Sequence, residues 1–190
     1  MTYSEARLSL LQEARSAQVS LLALQPLITK LQGFWQPPTS ESEMAKQLDG
    51  VWELLYTSKP ALERSGLDTL PGLERGRTYQ AIESASGRVF NLADLAGPFG
   101  LKTTILVQAK FTLSNIRRIC VQFERTAVVT GAIADYGSPA EAIRAIDRGA
   151  GWGVRLATDS FGTVDTLYVD EEVRIGLGNR GTLFVLSRAA

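Results

Sequence analysis

Apolar and polar positions follow two different periods along the chain, and the change falls near residue 50. Before it, Leu10, Ala14, Ala17, Leu21, Leu24, Ile28 and Leu31 recur at spacings of four and three. That spacing draws one apolar stripe along a helix, so residues 3–32 are predicted helical. Pro26 removes an amide from the helical ladder, so a break is expected at Leu24–Gln25, with a second short helix starting at the proline. Pro37-Pro38 ends the helical region, and residues 40–47 read as one short helix before the first strand. The opposite face of the long stripe carries Glu5, Glu13, Arg15 and Lys30. Mixed signs fit a helix packed on a domain better than one lying in a membrane surface.

From Gly50 onward the period is two. Strands are predicted near 50–58, 77–83, 87–94, 101–113, 117–130, 151–158, 163–175 and 182–188. In 101–113, Leu101, Thr103, Ile105, Val107, Ala109, Phe111 and Leu113 fall on one face. Lys102, Thr104, Gln108 and Lys110 fall on the other, with Leu106 as the exception. In the next strand Ile119, Val121, Phe123, Ala127 and Val129 are expected to share a face. One helix interrupts the strands at 138–148. Ser138 is its predicted N-cap, Pro139 its first residue and Gly149 lies past its end, with Ile143 and Ile146 as contacts. Residues 59–76 place several leucines among Gly and Pro, which predicts either a lid over an open end or an anchored loop.

Eight strands without alternating helices favour an antiparallel meander over a parallel sheet. The expected fold class is mostly β. It is an antiparallel barrel of about eight strands, with an N-terminal helical pair and one short internal helix. Residues 1–190 are read as a single domain, with the N-terminal helices in 3–36 and the barrel in 48–190.

Composition narrows the chemistry. Twenty basic residues balance twenty acidic ones, which argues against nucleic acid as a partner. Arg117-Arg118 is the longest basic cluster and reads as a solvated strand end. There is no histidine, which removes histidine-based triads, histidine general bases and most transition-metal sites. The single Cys120 forbids an internal disulfide and reads as a packed thiol. No basic region with an apolar core opens the chain, so no signal peptide is expected, and no run approaches the ~18 apolar residues of a membrane span.

Two motifs have competing readings. Gly176-x-Gly178-x-x-Gly181 spells a dinucleotide fingerprint, but that mechanism needs a following helix, and Thr-Leu-Phe-Val-Leu-Ser reads as a strand. A hairpin turn is predicted instead. Gly50-x-Trp52 resembles the lipocalin signature, in which the tryptophan plugs the closed end beneath a late-strand arginine, and Arg174 and Arg188 are both candidates for that contact. Alternation puts Thr166, Tyr168, Asp170, Glu172 and Arg174 on one face of a strand. Asp170-Glu171-Glu172 is the densest acidic run, but adjacent strand residues point apart, which spoils chelation.

Two stretches together resemble the plastid lipid-associated protein family, also called plastid fibrillins. A first block of the form Leu-x-Gly-x-Trp-x-Leu-x-Tyr-Thr-Ser is matched by Leu48, Gly50, Trp52, Leu54, Tyr56, Thr57 and Ser58. A last block is matched by Tyr168, Asp170, Arg174, Ile175, Gly178, Gly181, Phe184 and Val185. Leu177 stands where the family often has an arginine, and Arg180 is nearby. The resemblance implies a lipocalin-like barrel for a small hydrophobic ligand: a prenylquinone, carotenoid, fatty acid or similar lipid. It also implies a non-catalytic carrier or scaffold, without cofactor or metal, in the cytoplasm or peripheral to a thylakoid membrane. Peripheral membrane contact and a protein partner in prenylquinone synthesis belong to the same expectation. Without a transit peptide the chain reads as a cyanobacterial-type member or a trimmed mature chain. The ligand-binding set is expected to be Trp52, Tyr56, Phe111, Phe123, Tyr168, Asp170, Arg174 and Phe184, with Asp170 and Arg174 inside the barrel. Two alternatives stay open: a bilin chromophore lyase on a similar barrel, and a scaffold for a prenylquinone-synthesising enzyme that carries nothing.

Overall fold

The computed structural model describes residues 1–58, 74–149 and 155–189. Eight strands pair antiparallel in chain order: β1 (Gly50–Thr57), β2 (Glu74–Glu83), β3 (Arg88–Ala96), β4 (Lys102–Leu113), β5 (Arg118–Thr130), β6 (Arg155–Val169), β7 (Val173–Gly178) and β8 (Leu183–Arg188). β8 returns to β1 and closes the barrel. Among the described residues four α-helices accompany it: α1 (Tyr3–Ala14), α2 (Leu21–Phe34), α3 (Glu41–Leu48) and α4 (Pro139–Asp147).

Three apolar clusters hold this arrangement. α1 and α2 bury Leu10, Leu11, Leu24, Ile28 and Leu31 against the outer face of β6–β8, where Tyr168, Val173, Ile175 and Val185 meet them. α4 buries Ala142, Ile143 and Ile146 on the outer face of β2–β5, over Phe90, Leu92, Leu106 and Val129. The third cluster fills the barrel and includes Met44 and Leu48 of α3. Leu106 breaks the alternation of its strand because it is the outward residue that α4 covers.

The helical region breaks at residues 15–20, not at Leu24–Gln25. The Ser20 hydroxyl accepts from the Ala23 amide and starts α2, which runs through Pro26. An interior proline costs about 3 kcal/mol. The hairpin offsets it by burying both helices against each other and the barrel. Pro26 itself is solvent-exposed. α4 matches its expected signals: Ser138 caps the Glu141 amide, Pro139 opens the helix and Gly149 follows it at φ 86°.

Strand number is as expected, but two strands divide the chain differently. Residues 155–169 form one strand, and 163–175 is split by a turn at Asp170–Glu172. The Asp170 carboxylate accepts from the amides of Glu172 (2.8 Å) and Val173 (2.6 Å). This local capture turns the chain although the side-chain alternation runs through it. The predicted lid at 59–76 and the start of the predicted strand 151–158 lie outside the described residues, except that Glu74–Gly76 belong to β2.

Single-residue irregularities also invert faces. Between Phe123 and Arg125 the register shifts, so Val121 and Phe123 face inward while Ala127 and Val129 face outward. One extra residue moves every later side chain to the other face.

Candidate functional site

One end of the barrel is closed by a built floor. Trp52 is fully buried beside Met44 and Leu48, and its indole N–H donates to the Leu48 carbonyl at 2.8 Å. Arg188 stacks on the indole, with its guanidinium carbon 4.1 Å from the ring centroid. The same guanidinium donates to the carbonyls of Glu171 (2.7 Å), Asp49 (2.8 Å) and Gln47 (3.2 Å). It therefore ties the end of α3, the β6–β7 turn and Trp52 together. Of the two candidate arginines, Arg188 makes the tryptophan contact. Gly50 is needed here twice: its φ is 118°, and a Cβ would sit 2.5 Å from Arg188 Nη1.

Above the floor the inward side chains are apolar. Ile82, Val89, Ile119, Val169 and Leu186 are buried, whereas Leu54, Val121, Phe123 and Phe184 on the same inner surface keep intermediate exposure. Apolar groups that face inward yet meet solvent describe a cup, sealed at the α3 end.

Arg174 enters this cup. It pairs with Leu186 and Val169, both in the inner cluster, and is only 3% exposed. Its Nη1 donates to Gln80 Oε1 at 2.5 Å, and Gln80 in turn donates from Nε2 to Asn91 Oδ1 at 2.8 Å. Its Nε has no acceptor. No described carboxylate pairs with it. Burial pushes the guanidinium pKa down to about 10, which leaves it charged at neutral pH. A cavity of about 20 Å³ touches Arg174, Gln80, Ile82, Val89, Phe111, Ile119, Val121 and Val164, with room for roughly one water.

The residues expected around the ligand divide into two groups. Trp52, Phe111, Phe123, Phe184 and Arg174 are inside. Tyr56 and Tyr168 are outside, in the cluster beneath α1 and α2. A register shift between Leu54 and Tyr56 turns Tyr56 outward, and one between Thr166 and Tyr168 does the same for Tyr168. Asp170 is not a strand residue facing the lumen. Its Oδ2 accepts from the hydroxyls of Tyr3 and Tyr168 at 2.5 Å each, with the Arg7 guanidinium at 3.4 Å. Burial alone would raise the carboxyl pKa, but the Tyr168, Tyr3 and backbone hydrogen bonds outweigh it and hold it below the ordinary value. Asp170 thus fastens α1 to the barrel. The structure gives roles that the sequence reading did not assign to Gln80, which meets Arg174, to Thr166, which is buried, and to Met44 and Leu48 of α3, which plug the barrel. Gln80 and Thr166 carried no signal beyond strand alternation, while the Ser40 cap and the Met44/Leu48 spacing marked α3 as a helix with something to bury.

Among the described residues no cluster of His, Cys, Asp and Glu could hold a metal ion. No described helix is long and apolar enough to cross a membrane. A family model described as PAP_fibrillin matches residues 11–187. The chain belongs to this family. The fibrillin-family barrel is 27% identical to "Probable plastid-lipid-associated protein 2, chloroplastic" of Arabidopsis thaliana, over 84% of this chain and 60% of that protein. It is 28% identical to "Light-induced protein, chloroplastic" of Solanum tuberosum, over 84% and 57%. It is 26% identical to "Chromoplast-specific carotenoid-associated protein C2, chromoplastic" of an Oncidium hybrid cultivar, over 84% and 59%. The match thus spans less than two thirds of each of these relatives.

Proposed function

We propose that this fibrillin-family barrel is a non-catalytic carrier or scaffold for small hydrophobic molecules at photosynthetic membranes. Its ligand is a prenylquinone, carotenoid, fatty acid or similar lipid, and its place is at the thylakoid surface. The observation that carries this reading is the cup: a sealed floor, apolar inward walls, and inward aromatics that still meet solvent. The names of its relatives, which specify plastid lipid and carotenoid association, support the same class. Binding of an apolar fluorescent probe, with folding followed separately by circular dichroism, tests it. Phe123→Asp puts a charge into the cup wall and abolishes binding while the fold survives. A folded Phe123→Asp protein that binds normally removes the cup from the function.

The small volume beside Arg174 favours a second reading, in which the barrel supports a prenylquinone-synthesising enzyme and carries nothing. Native mass spectrometry of protein from its own host separates the two. A lipid-sized adduct supports the carrier. A protein complex without one supports the scaffold, and a blue chromophore in the same sample points to the bilin lyase.

A further inference from the structure

We propose that Arg174 and Thr166 form a head-group seat for a carboxylate, so that this cup takes acidic amphiphiles in preference to neutral ones. The proposal rests on the carrier reading and narrows it to one ligand class.

Among the described residues two buried side-chain polar atoms lack partners, Arg174 Nε and Thr166 Oγ1. Both residues are nearly inaccessible, at 3% and 1% exposure. Both belong to the inner face of the same strand pair. Thr166 is opposite Gly176 and in phase with Val164, which lines the cavity, and Arg174 is two residues before Gly176. A glycine stands between them for a steric reason: a Cβ at Gly176 would come within 2.9 Å of Val164 Cγ1. Val164 therefore packs directly over Gly176.

Charge decides the ligand class. A buried cation without a counter-charge costs several kcal/mol, and one neutral amide from Gln80 does not offset that. The rest of the cavity wall is aliphatic or aromatic. The missing group is thus an acceptor with negative charge, carried into the cup on something apolar. A carboxylate has two oxygens for the two orphan donors, Nε–H and the Thr166 hydroxyl. It is planar and more compact than a phosphate. Its tail would extend along the more exposed inner side chains Val121, Phe123 and Phe184. A neutral quinone or carotenoid leaves the charge uncompensated.

The test compares cis-parinaric acid with its methyl ester, by fluorescence titration at neutral pH, in the wild-type protein. The expected result is a preference for the acid of about tenfold or more, the worth of one charge-assisted contact. Arg174→Met removes the preference, so that acid and ester bind alike. Arg174→Lys keeps the charge and retains part of it, which guards against a Met variant that fails to fold. Thr166→Val reduces the preference by a smaller factor. Excess sodium acetate distinguishes the source of the anion. If it leaves parinarate binding intact, the amphiphile is the ligand; if it competes at millimolar concentration, the seat takes free carboxylates and the amphiphile assignment is overturned. Equal binding of acid and ester overturns the seat and leaves the carrier reading standing. Binding of neither probe overturns both.

Discussion

Arg174 and Arg188 lie on neighbouring inner positions of β7 and β8, and each was a candidate for the tryptophan contact. Arg188 is exposed, yet it satisfies three carbonyls and covers an indole ring. Arg174 is buried, yet among the described residues one amide oxygen is its only hydrogen-bond acceptor. Burial would ordinarily demand the richer set of partners. The inversion shows that the two do different work. Arg188 is complete in the empty protein, as a structural clamp is. Arg174 keeps an N–H without an acceptor among the described residues, as the proposed seat requires.

Unfolding measurements test whether the two arginines differ in this way. The largest effect is expected at the floor. Trp52→Ala removes a fully buried indole and should cost about 4 kcal/mol in urea unfolding. Arg188→Ala should cost about 2 kcal/mol by releasing its carbonyls and the ring. In the double variant the two losses should sum to less than their separate values, by about 1 kcal/mol. Strict additivity would mean the stacking is geometry without energy.

An intermediate effect is expected at Asp170, whose turn serves both arginines: it presents the Glu171 carbonyl to Arg188 and starts β7 one residue before Arg174. Its carboxyl pKa is depressed below the ordinary 3.8 in the folded state. Its contribution is therefore fully present above that value and is lost as pH falls through the folded pKa. Acid titration of stability should steepen below about pH 4. Asp170→Asn should flatten that limb, and an unchanged acid limb would place the sensitivity elsewhere.

The smallest effect is expected at Arg174. Arg174→Met exchanges an uncompensated buried charge for an apolar side chain, so the stability of the empty protein should change by less than about 1 kcal/mol, or rise. A loss as large as that of Arg188→Ala would make Arg174 a second clamp and erase the comparison.

Much of this was legible in the chain. Alternation in 101–113 named the inner face of β4, and Gly50-x-Trp52 named the floor. Ser138-Pro139 and Gly149 bracketed α4. What alternation could not reveal was where it slips. Tyr56, Tyr168, Ala127 and Val129 were all placed by counting in twos, and a register shift of one residue precedes each. Such a shift has no residue signature of its own, because it is decided by the partner strand. Asp170 was misread for a related reason: a carboxylate that captures two amides ends a strand without disturbing the pattern of side chains. The break at 15–20 was hidden by Ala17 and Leu21, which continue the stripe in sequence but are exposed in the hairpin.

Closure of β1 on β8 has a consequence for how the molecule is made. Ser58 and Leu183, which bond across that seam, are 125 residues apart. At a synthesis rate of 5–20 residues per second the first strand waits roughly 6–25 s for its second neighbour. During that interval β1 has an open edge, and the apolar lining has neither a finished wall nor Arg188 beneath its tryptophan. A newborn chain is therefore most vulnerable to aggregation just before its last strand emerges. A nascent-chain chaperone, or a lipid already in contact with the half-built wall, would act in that window.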